Sequence, residues 1–118
     1  MRTKRVVLTA ISCLFTASPV LAHHSLQAHY ELNRPITIKG TITKIVWSNP
    51  HTHLYLEAKE ENGGVGLWEL EMASPNMLML NGWKFDSFRQ GDHITVSAYP
   101  SRDGSKLGYA KQVTKNAR

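Results

Sequence analysis

Residues 35–46, PITIKGTITKIV, form the stretch of sequence that decides the fold. From Ile36 to Ile42 every second position carries isoleucine or glycine, and the positions between them carry threonine or lysine. This period of two predicts a strand that buries one face. The alternation slips between Thr43 and Val46, and Gly40 interrupts the strand, so we expect a long strand that bends or bulges.

Four more segments alternate in the same way and predict strands, at residues 51–58, 67–72, 94–98 and 107–114. Asn62-Gly63 between two of them suits the positive φ of a tight hairpin. Ser74 followed by Pro75 is typical of a helix start and Gly82 of a helix end, so a short helix is predicted there. This order predicts a mainly β protein, a small OB-like five-stranded barrel with one short helix between strands 3 and 4. A generic five-stranded sandwich is the alternative.

The amino terminus predicts export. Three basic side chains precede an apolar run at residues 6–15, and the segment then reaches Ala22, a small residue of the kind that precedes a signal peptidase cut. This pattern predicts a cleaved signal peptide at residues 1–22, whose apolar run is too short to span a bilayer. We therefore expect a His-rich N-terminal arm at residues 23–34, one barrel domain at residues 35–118, and a periplasmic or secreted location after cleavage near Ala22.

The mature chain has little net charge and no cysteine. Residues 1–22 contain three of the 14 basic side chains and none of the nine acidic ones. The mature chain therefore has 11 basic and nine acidic side chains and a formal charge of +2. We therefore expect no nucleic-acid partner and no stable membrane insertion of the mature chain. The single cysteine, Cys13, leaves with the signal peptide, which excludes a disulfide, a thiolate ligand and covalently attached haem. Any metal must be bound through nitrogen, oxygen or thioether.

Short motifs run in order through the whole mature chain. They are Ala22-His23-His24-Ser25, Trp47-Ser48-Asn49-Pro50-His51, Ala73-Ser74-Pro75-Asn76, Gly82-Trp83, Gly91-Asp92 and Arg102-Asp103-Gly104. In these motifs the chain resembles a family of small exported bacterial proteins of unknown function. It departs from that pattern at Leu26, where an aromatic residue is expected to pack the arm. The resemblance implies export and a barrel architecture, and it says nothing about activity.

The histidines are the candidate metal ligands. If the signal peptide is removed, His23 carries a free α-amino group beside its imidazole, and both can lose their protons to bind a metal near neutral pH. Amine and ring nitrogen close a chelate, and one further imidazole completes a three-nitrogen site that suits copper(II). His51 and His53 are two residues apart on the predicted second strand, so they project from the same face and offer that imidazole. The arm must then fold back toward the first hairpin. The predicted metal ligands are His23, His24, His51 and His53, with His29 as a local alternative.

Simpler explanations of the polar residues stay open. Histidines on an exposed arm and strand face can be ordinary surface residues, and His93 beside a turn aspartate fits that description best. Glu69 and Glu71 share a strand face, as two catalytic carboxylates would, but alternating glutamates on a solvated face are the commoner case. Three methionines could bind copper(I), although filling a core is their usual role: Met72, Met77 and Met79. Four aromatic residues could line a ligand groove: Trp47, Tyr55, Trp68 and Trp83.

Three functions follow from these residues. The leading hypothesis is an exported metal-binding protein, a copper carrier, sensor or accessory factor that uses N-terminal and first-hairpin histidines. The alternative is a metal-free periplasmic binding module of the OB-like type, which would recognise a small ligand, a glycan or a protein partner. An enzyme such as a copper oxidase ranks last, because no substrate groove or second catalytic group can be named.

Overall fold

Five strands and a short helix build the part of the chain that the computed structural model describes, residues 26–60 and 62–116. In chain order they are β1 (Ile36–Val46), β2 (His53–Lys59), β3 (Val65–Glu71), α1 (Pro75–Leu80), β4 (His93–Pro100) and β5 (Leu107–Lys115). A single helical turn at residues 26–29 precedes β1. The predicted mainly β protein with one helix between strands 3 and 4 is confirmed. The predicted signal peptide at residues 1–22 and the predicted ligands His23 and His24 lie outside the described residues.

The strands close into one barrel in the order β1-β2-β3-β5-β4, with β4 paired back to β1. Neighbouring strands are antiparallel except β3 and β5, which run parallel and pair from Glu69–Leu107 to Glu71–Tyr109. This is the OB-like arrangement expected from the order of elements, and closure of the sheet excludes the sandwich alternative. Within the described ranges, no helix is long and apolar enough to cross a membrane.

Strand β1 belongs to both halves of the barrel and must curve to serve them. It pairs with β4 through residues 36–41 and with β2 through residues 40–46. The β2 register shifts just after Ile42, which places a bulge where the sequence alternation slips. Gly40 lies where the two pairings overlap, and a Cβ atom there would be 2.5 Å from the carbonyl oxygen of Glu57. The close approach of the strands therefore requires glycine.

The barrel interior takes up the apolar faces of the strands. Its largest fully buried aliphatic residues are Ile42, Leu54, Leu56, Leu70, Ile94 and Val96. Leu78 of α1 packs against this core, and α1 begins and ends as predicted. The Ser74 hydroxyl accepts a hydrogen bond from the N–H of Met77 at 3.3 Å, and Gly82 adopts a φ of +96°. Because the inner face is apolar, the histidine, the glutamates and the tyrosine of β2 and β3 face outward.

Candidate functional site

The N-terminal arm folds back over the outside of the barrel, beside β3 and β5. An antiparallel bridge joins Tyr30 to Ser101, in the loop between β4 and β5. Next to it, the N–H of Glu31 donates a hydrogen bond to the carbonyl oxygen of Pro100 at 2.8 Å. The described part of the arm is therefore held by the main chain as well as by side chains.

Arg102 clamps the arm to this loop. Its backbone N–H donates to the carbonyl oxygen of His29 at 3.0 Å, and its Nε donates to the carbonyl oxygen of Gln27 at 2.6 Å. Its Nη1 also pairs with Glu31 Oε2 at 3.0 Å. These contacts, which we call the Arg102 clamp, fix residues 27–31 against the barrel.

A cavity of about 520 Å³ lies under the arm, and we call it the arm cavity. The arm contributes Leu26, His29 and Tyr30 to its lining, and the barrel contributes His51, Glu71 and Tyr109. The lining thus combines aromatic rings, imidazoles and a carboxylate. Such a mixture of apolar walls and few polar groups is typical of a ligand site.

The backbone around His51 fixes its ring. His51 lies just before β2, not within the strand as the sequence suggested, because the Ser48 hydroxyl donates to the His51 carbonyl at 2.7 Å and closes a turn there. Its Nδ1 is 2.9 Å from the carbonyl oxygen of Met72. A carbonyl oxygen only accepts, so Nδ1 carries the proton and donates. In a neutral ring Nε2 is then the free nitrogen, and it lies 3.5 Å from Glu71 Oε1.

Glu71 joins His51 to the tyrosines of the cavity. The Tyr30 hydroxyl donates to Glu71 Oε2 at 2.6 Å, while Oε1 faces the imidazole. Burial, followed by this hydrogen bond and the negative charge of Glu71, raises the pKa of Tyr30 well above its usual range. Burial and the same charge also raise the pKa of Tyr109, whose ring lies 6.0 Å from that of Tyr30. Both phenols therefore stay protonated at neutral pH, and neither adds charge to the site.

The loop between β4 and β5 adds a fixed carboxylate at the edge of the cavity. Asp103 accepts hydrogen bonds from the Ser105 hydroxyl, the Ser105 N–H and the Ser101 hydroxyl. These bonds lower the pKa of Asp103 to about 2. The Asp103 carboxylate therefore remains charged, and with Glu71 it makes the cavity acidic.

His53 has a different environment from His51, although both side chains face outward. Its Nδ1 lies 3.3 Å from Glu69 Oε1, but the atom is buried and forms no hydrogen bond within the described structure. The Tyr55 hydroxyl also donates to Glu69 Oε1, at 3.1 Å. His53 lines a separate cavity of about 100 Å³ with Tyr30, Glu69 and Glu71. The two glutamates each lie beside a different histidine, Glu71 beside His51 and Glu69 beside His53.

The structure thus brings one predicted barrel ligand, His51, to the arm cavity. His51 lines the arm cavity with Leu26, the first described residue, which is three positions after His23. His29 lines the same cavity, whereas His93 lies elsewhere, with its Nδ1 2.9 Å from the hydroxyl of Thr41. Within residues 26–60 and 62–116, no group of three or more histidine, cysteine, aspartate or glutamate side chains could hold a metal ion.

Four residues that the site depends on were not predicted from the sequence: Tyr30, Arg102, Asp103 and Tyr109. Tyr30 is the one aromatic residue in the polar stretch 23–34, and Arg102 belongs to a motif that the resemblance singled out. These are signals of a packed arm, but neither names a partner. The partners follow only from the closed barrel and its strand order.

Fold and site together define a small OB-like barrel with an arm folded over a cavity on its outer surface. The model of a family of unknown function, DUF6152, matches residues 10–111. The chain therefore belongs to that family, which confirms the resemblance to a family without a known function. A search of curated proteins finds no match.

Proposed function

We propose that the mature protein is exported to the periplasm or beyond and binds copper there, as a carrier, sensor or accessory factor. The proposed ligands are the amine and imidazole of His23, or the imidazole of His24, together with the imidazole of His51. One observation carries the proposal: His51 and the folded-back arm line the same cavity.

The orientation of the His51 ring supports its role as a ligand. The hydrogen bond from Nδ1 to the Met72 carbonyl leaves Nε2 as the coordinating nitrogen. Histidines that bind metals usually donate their other ring N–H to such a partner, which fixes tautomer and orientation. In a neutral ring, Nε2 and Glu71 Oε1 are two acceptors 3.5 Å apart, and a cation beside them would relieve that repulsion.

The length of the arm supports a ligand from its amino end. Leu26 borders the cavity, and His23 precedes it by three residues. At about 3.3 to 3.6 Å per residue, His23 can lie within about 11 Å of Leu26. Cleavage after Ala22 would create an amine beside the His23 imidazole, and copper(II) favours such a nitrogen set in tetragonal geometry.

Calorimetry and spin resonance test the proposal, with copper(II) added to protein processed to begin at His23. We expect one-to-one binding and a nitrogen-rich tetragonal spectrum. An additional N-terminal methionine should remove the chelate, and His51→Ala should weaken binding by about tenfold or more. His93→Ala is the matched control, because His93 lies outside the arm cavity. Equal affinity in all four proteins would refute the site.

A second candidate function rests on the size and chemistry of the same cavity. Its volume of about 520 Å³ suits a small organic molecule, and its lining includes two tyrosine rings and the carboxylates of Glu71 and Asp103. Aromatic rings and negative charge together recognise organic ammonium groups. This version of the metal-free binding module predicts that tetramethylammonium binds in the presence of a chelator. Tyr109→Ala should then weaken binding, and binding that requires copper would exclude this candidate.

A further inference from the structure

A second cleft opens where two strand ladders of the barrel stop. β1 pairs with β4 from Ile36 onward but with β2 only from Gly40 onward. The first residues of β1 therefore part from the β2–β3 hairpin and leave a cavity of about 440 Å³. It shares no lining residue with the arm cavity within the described residues. We call it the β1 cleft.

The walls of the β1 cleft are apolar. Ile38 and Ala58 are buried core residues, and Ile36 packs against them. Trp68 is half-buried and adds an aromatic wall. The cleft volume lies within the range of about 300 to 1,000 Å³ that small-molecule sites occupy.

The rim of the β1 cleft is basic. Lys39, Lys59 and Lys106 all border it, and Glu60 is the one acidic residue among the described lining residues, which leaves an excess of two positive charges. Lys106 is paired with Glu60, and its ammonium lies 5.8 Å from the centroid of the Trp68 ring. Lys39 and Lys59 are exposed and form no ion pair within the described residues.

The positions of Lys39 and Lys59 need an explanation. The β1–β2 pairing stops at Gly40 and Ala58, and Lys39 and Lys59 are the next residues of the two strands at the point where the strands part. Two like charges that border the same cleft repel each other. Both lysines also border a groove of about 810 Å³ on the outer side of β1, where Glu57 lies without forming an ion pair with either. An anion held between the two ammonium groups would turn this repulsion into attraction.

We propose that the β1 cleft binds a small organic anion with a flat apolar body, such as an aromatic carboxylate. Lys39 and Lys59 hold the carboxylate, and the apolar body lies against Trp68 and the isoleucines of β1. The two parts of the ligand match the two parts of the cleft, a basic rim and an apolar wall. This site is independent of the proposed copper site, because the two cavities share no lining residue among those described.

Titration with sodium benzoate, followed by the NMR signal of the Trp68 indole N–H, tests the proposal. Benzyl alcohol is the uncharged comparison of similar shape. We expect benzoate to shift the Trp68 signal saturably and benzyl alcohol to bind more weakly. The double variant Lys39→Gln and Lys59→Gln should weaken benzoate binding by about five- to thirty-fold, while Lys39→Arg with Lys59→Arg should retain it.

A matched control distinguishes benzoate binding in the β1 cleft from a general attraction of benzoate to positive surface charge. Lys44→Gln with Lys111→Gln removes the same charge from two strand lysines that lie over Tyr55 and Tyr99, outside the cleft. This control should bind benzoate as the wild type does. Equal weakening in the control, equal binding of benzyl alcohol, or no saturable shift at Trp68 would overturn the proposal.

Discussion

Replacing Arg102 by alanine tests whether the arm is a separately stabilised part of the molecule. The guanidinium reaches the arm through Nε to the Gln27 carbonyl at 2.6 Å and through Nη1 to Glu31 at 3.0 Å. The Arg102 side chain is exposed and belongs to no part of the core. The variant should therefore loosen the arm and leave the barrel folded.

The expected size of the effect follows from exposure. The Arg102 and Glu31 side chains are 45% and 31% exposed, so their ion pair contributes less than about 1 kcal/mol. The hydrogen bond to the Gln27 carbonyl contributes about 1 kcal/mol, at the low end for a charged donor. Together the two contacts contribute about 1 to 2 kcal/mol. Losing them should lower the ratio of docked to released arm by a factor of about 5 to 30.

Amide hydrogen exchange measures this local equilibrium directly. The N–H groups of Tyr30 and Glu31 donate to the carbonyl oxygens of Leu26 and Pro100, each at 2.8 Å. They should exchange about 5- to 30-fold faster in the Arg102→Ala variant, while amides of β2 keep their protection. Under the proposed function, copper affinity should fall only as far as the docked fraction of the arm falls.

The control for this experiment is Arg89→Ala. Its side chain is 72% exposed and reaches Asp86 only at 4.0 Å, so its removal should change no exchange rate in the arm. Faster exchange throughout the barrel, or unchanged exchange at Tyr30 and Glu31, would refute the Arg102 clamp.

Two further variants test a buried hydroxyl and a titrating phenol. Thr52 is fully buried and its hydroxyl has no hydrogen-bond partner in the described structure. Thr52→Val should therefore raise the free energy of unfolding, measured in urea, by about 1 kcal/mol. A lower free energy of unfolding in the variant would contradict this. Burial, then the hydrogen bond to Glu71, raise the pKa of Tyr30 above 10.0, so its contribution to stability is fully present below about pH 10 and is lost as the pH rises further. The wild type should lose stability between about pH 10 and 12 more steeply than Tyr30→Phe, and equal slopes would rule out this assignment.

The strands could be predicted because each one buries a single face. In β2, Leu54 and Leu56 are fully buried while His53 and Tyr55 between them face outward, as the alternation indicated. The bulge in β1 was also predicted, since a slip in the alternation follows directly from a shifted register. The predicted start of β2 was wrong by two residues. The turn that holds His51 depends on a side-chain hydrogen bond, and such a bond leaves no periodic pattern in the sequence.

The surroundings of the histidines could not be predicted in the same way. The Tyr30–Glu71 bond joins residues 41 positions apart, and the Arg102–Gln27 bond joins residues 75 positions apart. A local pattern indicates which side chains face outward, but the strand order decides which of them meet. The parallel pairing of β3 with β5 places Glu71 opposite Tyr109, and that pairing arises only when the barrel closes.

Where His23 supplies its amine under the proposed function, export and folding must both be completed before the site exists. In the precursor, the nitrogen of His23 is part of a peptide bond and is a poor metal ligand at neutral pH, so cleavage after Ala22 is what creates the amine. The other half of the site depends on the barrel, because the Met72 carbonyl that orients His51 is brought to it by folding. An unprocessed precursor and an unfolded mature chain each lack one half. Tight copper binding would therefore be confined to folded protein on the far side of the membrane, where a carrier or sensor of exported copper would act.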